Sequence, residues 1–259
     1  MSPIKQFENE RTARIQSNGD NTAFQQMSMD WSQKAMSEMY MYNFSALGRP
    51  IIQFPQDMVA VQELIWQVKP DLIVETGIAH GGSLIQSAMM LAMLDICEAI
   101  ENGETSMSVA SSRKVLGVDI DIRQHNREAI ENHPMSSRIE MIQGSSIDSD
   151  IVARVHEFSK AYKNIMVMLD SMHTHDHVLE ELNAYANLTT IGNYCIVFDT
   201  FVEDLPEGFF SDRPWNKGDN PKTALHQWLK SNTNFEIDKS VDNKFLISVA
   251  PDGYLKRVS

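Results

Sequence analysis

Five short, almost uninterrupted apolar runs punctuate the middle of this chain, and segments with helical spacing lie between them. The runs are LIVET (72–76), VLGVD (115–119), IEMIQ (139–143), IMVMLD (165–170) and YCIVFD (194–199). Each has strand length, and near-continuous hydrophobicity is what a strand needs when both its faces are covered. Helical patterns follow at about 83–100, 123–132, 148–160, 175–187 and 221–231. This alternation predicts an α/β fold, a doubly wound, Rossmann-like, mostly parallel sheet with helices on both faces. Two further runs, FEIDKSV (235–241) and KFLISVA (244–250), are parted by Asp242 and Asn243. They predict a terminal antiparallel hairpin that closes one edge and brings the sheet to about seven strands.

Residues 1–45 are polar and rich in Met, Gln and Asn, with Trp31, Tyr40, Tyr42 and Phe44 arriving late. They predict a helical extension that serves as a lid or packs on a second subunit, so a homo-oligomer is expected; residues 46–259 form the main domain. GRPIIQFPQD (48–57), with two prolines, reads as a loop leading into a helix from Asp57 to Val68. In that helix Met58, Val61, Leu64, Ile65 and Val68 recur at helical spacing, and Lys69-Pro70 stops it. ENGETSMSVASSR (101–113) lacks periodicity and is expected to be a mobile surface insertion.

Composition narrows the function classes. Apolar residues make up 42% and charged residues 22%, enough for a packed core. Acids outnumber bases 35 to 22, giving a net charge of −13. Such a surface is a poor match for a phosphate backbone, so no nucleic-acid partner is expected. Cys97 and Cys195 lie far apart in apolar segments with no Cys or His partner in sequence, as in a reducing compartment. The first residues, MSPIKQFENERTARIQ, lack the apolar stretch of a signal peptide. No run is expected to reach the ~20 apolar residues of a membrane span. A cytoplasmic protein without membrane insertion is the expectation.

In an open parallel sheet, ligands bind outside the carboxyl ends of the strands. The first strand runs into Glu75-Thr76-Gly77-Ile78-Ala79-His80-Gly81-Gly82-Ser83, a glycine loop opening a helix, where backbone can approach a ligand closely. Its spacing differs from the dinucleotide GxGxxG. The second strand ends in Asp119, whose carboxylate can accept both hydroxyls of a ribose; Asp121 is the alternative, or caps the next helix. A dinucleotide fold places its ribose acid about 20 residues past the glycines, and Asp119 lies well beyond that, which argues against NAD. Gly144-Ser145-Ser146 follows the third strand, where small residues leave room for an adenine ring.

The fourth strand ends in Asp170-Ser171-Met172-His173-Thr174-His175-Asp176-His177, the densest polar cluster in the chain. Three alternating histidines admit a zinc reading, but no HExxH pattern or cysteine ligand accompanies them. The alternative takes Asp170 as a metal ligand and His173 as a general base working near neutral pH. The fifth strand ends in Asp199-Thr200, with Glu203 and Asp204 beyond. Neighbouring strand tips at 170 and 199 bring two carboxylates together, and their repulsion is relieved by a cation between them. Oxygen ligands favour magnesium.

These segments resemble the cephalosporin hydroxylase family, a branch of the class I S-adenosylmethionine-dependent methyltransferases related to macrolide-sugar and rhamnosyl O-methyltransferases. The resemblance runs from about Tyr42 to Arg257 and rests on YNFSALGRPIIQFPQDM, ETGIAHGGS, GVDIDIRQHNREAI, GSS, LDSMHTHDHV, VFDTFVED, DRPWNKGDNPKTA and APDGYLKR. It implies that Glu75, Gly77, Gly81 and Ser83 line a cosubstrate pocket, that Asp119 binds the ribose of S-adenosylmethionine, and that Ser145 and Ser146 border its adenine. It also implies Mg2+ on Asp170 and on the pair after the fifth strand, with His173 as base. Related enzymes place two metal-binding side chains in succession there. This chain has Phe198-Asp199-Thr200, so Asp199 acts alone or with the Thr200 hydroxyl. The acceptor implied is a small molecule or glycan with adjacent hydroxyls, with GRPIIQFP and SDRPWNKGDN (211–220), including Arg49, Arg213 and Trp215, as candidate walls. Two alternatives stay open: a hydroxylase, as the family name suggests, with Asp170, His173 and His177 imitating a 2-His-1-carboxylate set, and a noncatalytic cosubstrate-binding homologue.

Overall fold

The structure, a computed structural model, describes residues 2–104 and 112–259. Most of the expected surface insertion (101–113) therefore lies outside the described residues. Two helices, α1 (Pro3–Asp20) and α2 (Thr22–Ser37), open the chain. A hairpin, β1 (Phe44–Ala46) and β2 (Arg49–Ile51), leads into α3 (Pro55–Val68). Then strands and helices alternate: β3 (Leu72–Thr76), α4 (Gly82–Glu101), β4 (Lys114–Asp119), α5 (Gln124–Glu131), β5 (Ile139–Gln143) and α6 (Ser149–Ser159). They continue as β6 (Ile165–Leu169), α7 (His175–Tyr185), β7 (Tyr194–Val197), α8 (Pro221–Leu229), β8 (Phe235–Ile237), α9 (Lys239–Phe245) and β9 (Tyr254–Arg257).

The main sheet has seven strands in the order β5-β4-β3-β6-β7-β9-β8. Strands β3 to β7 are parallel, and β9 runs antiparallel to both β7 and β8. Successive strands lie to one side of β3 and then to the other, so the topological switch falls beside β3 and β6. Alternating side chains feed two cores, as the two-residue strand period requires. Ile73, Val115, Met166 and Ile196 join α3, α4 and Ile130 of α5 on one face. Val74, Leu116, Val167 and Cys195 join α6, α7 and α8 on the other. The strands are covered on both sides, which is why they read as continuous apolar runs.

Three local expectations are corrected. The terminal antiparallel pair exists, but its second strand is Tyr254–Arg257 rather than residues 244–250. Asp238 stops β8 by accepting the Ser240 N–H at 3.1 Å, an N-cap that turns Lys239–Phe245 into a helix. Residues 49–51, expected within the 48–57 loop, form a strand that pairs with 44–46 in a hairpin, because Leu47 (φ 44°) and Gly48 (φ 89°) supply two left-handed residues for a tight turn. Finally, α4 is long and apolar enough to cross a membrane by length and composition. Its apolar stripe, including Leu84, Ile85, Ala88 and Leu91, is spent on the sheet.

The N-terminal helices pack unequally. No residue of α1 is buried, whereas Ala35 and Met36 of α2 reach the core. Trp31, Tyr40, Phe44 and Phe54 form a chain of edge-to-face and tilted ring contacts, 5.1 to 6.2 Å between centroids, pinning the end of the extension over α3.

Candidate active site

A cavity of about 460 Å³ opens beside the switch point, outside the carboxyl ends of β3 and β6. Its floor begins with the loop after β3. Gly77 adopts φ +86°, and a Cβ there would lie 1.9 Å from the Asp170 carbonyl oxygen, so only glycine lets the two strand ends meet. Two acids shape this loop from beneath. Asp119 Oδ2 accepts the N–H groups of Ile78 (2.8 Å) and Ala79 (3.2 Å), and its Oδ1 accepts that of Asp121 (3.0 Å). A carboxylate has about four acceptor sites, so Asp119 keeps capacity for further donors. Glu75 is fully buried; its Oε1 takes the Ser83 hydroxyl, and its Oε2 has no partner among the described residues. Burial pushes this carboxyl up to about 8, against the opposing pull of the Ser83 bond. Gly81 stands at the start of α4, as the glycine loop predicts.

Three polar side chains converge deeper in the cavity. One ligand atom from each of Asp170, His173 and Asp199 lies within 4.8 Å of the others, and His173 Nε2 is 3.0 Å from Asp199 Oδ2. The Asp170 carboxyl is held well above the usual carboxylate range by burial first and then by Asp199, Glu75, Glu181 and Asp57. Trp215 meets the His173 ring edge-on at 4.7 Å, fixing its orientation. Asp199 itself sits at φ 54°, ψ 20°, a left-handed conformation that non-glycine residues adopt at a cost of about 1–3 kcal/mol.

Other predicted residues go elsewhere. The Thr200 hydroxyl donates to the Pro251 carbonyl at 2.7 Å, and the residue is fully buried, so the structure does not bring it into the cluster. Glu203 accepts from Gly218 N and Asn220 Nδ2, and Asp204 pairs with Lys222, so both acids anchor the 211–220 loop and α8. The three histidines part company: His175 bonds Thr223 at 2.8 Å, and His177 Nε2 lies 3.1 Å from both Ser146 Oγ and Ser171 Oγ. Only His173 of the zinc set remains at the cluster. Ser146 is buried in that network, while Ser145 is half-buried beside it. Arg49 donates to the His80 carbonyl and to Asn126 Oδ1, tying the β2 end to the glycine loop rather than facing an acceptor.

Part of the cavity wall was not read from sequence as site residues. Met36, Met39, Met41 and Tyr42 reach it from the N-terminal extension, and Phe209 and Phe210 from the segment after β7. The late aromatics of the extension were the only sequence signal for the first group. Arg213 and Trp215 do line the cavity, with the guanidinium 5.5 Å over the indole.

A family model described as Rhamnosyl O-methyltransferase/CmcI matches residues 38–258. The chain belongs to this methyltransferase family. The rhamnosyl O-methyltransferase of Mycobacterium tuberculosis (strain H37Rv) is 26% identical over 208 residues, covering 78% of this chain and 73% of that protein. The one from Mycobacterium leprae is 24% identical over 213 residues, covering 82% of each. Among solved structures, CmcI with magnesium and S-adenosylmethionine superposes with a TM-score of 0.53 at 18% identity, covering 84% of this chain and 78% of that one. That likeness shows the Rossmann-like methyltransferase fold.

Proposed function

We propose that this chain transfers the methyl group of S-adenosylmethionine to a hydroxyl of a sugar or glycosylated small molecule, assisted by Mg2+. The observation that carries the proposal is the Asp170–His173–Asp199 cluster beside the Gly77 turn, at the switch point of a sheet in this family. The donor set fits a hard cation. Asp199, the nearest of the acids around Asp170, sets a second carboxylate against it, and a divalent ion held by the Asp170 and Asp199 oxygens would relieve that repulsion. When bound there, Mg2+ supplies a lowered pKa for a hydroxyl of the acceptor. The glycine loop likewise fits the cosubstrate: Gly77 brings backbone to the cavity, and Asp119 retains acceptor sites for a ribose diol.

The chain's residues have distinct tasks. His173 takes the proton from the acceptor hydroxyl on the ring nitrogen that Asp199 does not engage, as the oxygen forms its bond to the methyl carbon. The carbon–sulfur bond breaks with its electron pair going to sulfur, which leaves as S-adenosylhomocysteine. The Asp199 carboxylate, 3.0 Å from Nε2, accepts its N–H and so holds the ring in the tautomer that leaves the other nitrogen free to act as base. Trp215 and the 209–213 segment orient the acceptor, because an in-line displacement depends on positioning. The hydroxylase alternative wants two histidines and one carboxylate, whereas this cluster offers one histidine and two carboxylates.

We further propose that residues 1–45 form a separate extension on a methyltransferase domain of 46–259, walling the acceptor side of the cavity. Its exposed Ile4, Phe7, Phe24 and Met27 supply a contact between copies in a homo-oligomer. The activity is tested by incubating the protein with methyl-labelled S-adenosylmethionine and a panel of glycosides bearing vicinal hydroxyls. Label in a methoxy sugar, lost on chelation and restored by Mg2+, is expected. Transfer unaffected by chelation would remove the metal from the scheme, and no transfer to any member would count against the sugar class.

A further inference from the structure

Among the buried acids that the mechanism leaves without a task is Asp57. Asp57, in the first turn of α3, is fully buried and accepts from Ser248 Oγ (2.5 Å), Val249 N (2.9 Å) and Tyr254 OH (2.8 Å). A carboxylate is costly to bury, and a neutral acceptor or apolar packing would hold this corner of the fold more cheaply. Its three donors all belong to the segment before β9 and to β9 itself.

That segment is gripped from its other side by the turn that carries Asp199. Phe201 N donates to the Val249 carbonyl at 3.1 Å, and Thr200 Oγ1 donates to the Pro251 carbonyl at 2.7 Å. Val202 N closes the turn on the Asp199 carbonyl at 3.1 Å. A continuous hydrogen-bonded path therefore runs from Asp57 through residues 248–251 to the strained backbone of Asp199. We propose that Asp57 is a positioning residue for the cation site, fixing residues 248–251 so that Asp199 keeps the left-handed conformation that holds its carboxylate beside His173 and Asp170. Its charge acts in the same direction, since Asp57 belongs to the set of acids whose field reaches Asp170. The inference rests on the metal reading above and extends it to a residue outside the cavity.

The test compares full-length wild type with Asp57→Asn and Tyr254→Phe after chelator treatment. Mn2+ affinity is followed by the resonance of the free aqueous ion, and S-adenosylhomocysteine affinity by calorimetry. Asp57→Asn is expected to weaken Mn2+ roughly 10–100-fold, the effect of losing a group that orients a ligand. S-adenosylhomocysteine affinity should stay within about twofold. Tyr254→Phe, which keeps the acid and removes one donor, should lose Mn2+ affinity in the same direction by less. If Asp57→Asn does not fold, Tyr254→Phe decides alone. Unchanged Mn2+ affinity in the variants overturns the proposal, as does a parallel fall in both affinities, which marks general loosening. Wild type that binds S-adenosylhomocysteine but no Mn2+ overturns it together with the metal reading while leaving the methyltransferase reading intact.

Discussion

Asp170 directly follows β6, every residue of which is apolar and buried, and one of its oxygens lies within 4.8 Å of ligand atoms of both His173 and Asp199. On the proposed reading, removing its oxygens takes away one of the two carboxylates that would hold the cation, without touching the glycine loop. Asp170→Ala is therefore expected to eliminate turnover while S-adenosylhomocysteine still binds in calorimetry; normal methylation by the variant would refute the metal site. His173→Ala should lower turnover at saturating acceptor by about 10²–10⁴-fold, the range of a general base, and an unchanged rate would remove it from the mechanism. Glu75 makes a different prediction. Its carboxyl normally titrates near 4.5 but is pushed up to about 8 by burial, so between those values the folded protein holds a proton that the unfolded chain has released. Stability of the ligand-free protein then falls as pH rises through that window. Glu75→Gln should melt higher than wild type at about pH 9, with the gap narrowing toward about pH 5; a gap independent of pH would contradict the assignment.

At the scale of elements, the parallel strands and the helices between them were legible because a strand covered on both faces must be apolar throughout. The strand tips were legible for the same reason: Asp170 and Asp199 stand out where their runs meet the cavity, and Asp119 where its run meets the glycine loop. Short elements were harder. Lys239–Phe245 carries apolar residues that suit a strand or a single helical turn equally, and only the Asp238 cap decides. The β1–β2 turn uses Leu47 where Asn or Asp would have announced it. Thr200 could not be judged from sequence, since whether its hydroxyl faces metal or backbone depends on Pro251, some fifty positions away. The close approaches give a paired test. Gly77→Ala, whose Cβ would strike the Asp170 carbonyl, should cost more than about 2 kcal/mol in chemical denaturation. Gly48→Ala, equally left-handed but with nothing within 4 Å, should cost only about 1 kcal/mol.

For the molecule as a whole, the Asp170–His173–Asp199 cluster is built at the ends of the sheet's strands, while part of the cavity wall is lent by the N-terminal extension. Which of its residues do so was not legible in the sequence, because Met36, Met39 and Met41 look like ordinary filler until the extension folds back. Deleting residues 1–21 removes a helix with no buried residue, so melting should shift little. Light scattering on the same truncation then tests whether Ile4 and Phe7 hold copies together. Deleting residues 1–43 also strips the Trp31 and Tyr40 ring contacts, and melting should drop clearly.

The most direct measurement is calorimetric titration of S-adenosylmethionine into chelator-stripped protein, repeated with Mg2+ and with NAD in its place. The account predicts saturable binding of S-adenosylmethionine and none of NAD, with the Gly77 loop and Asp119 supplying the site. No binding of S-adenosylmethionine, with or without the metal, would contradict it.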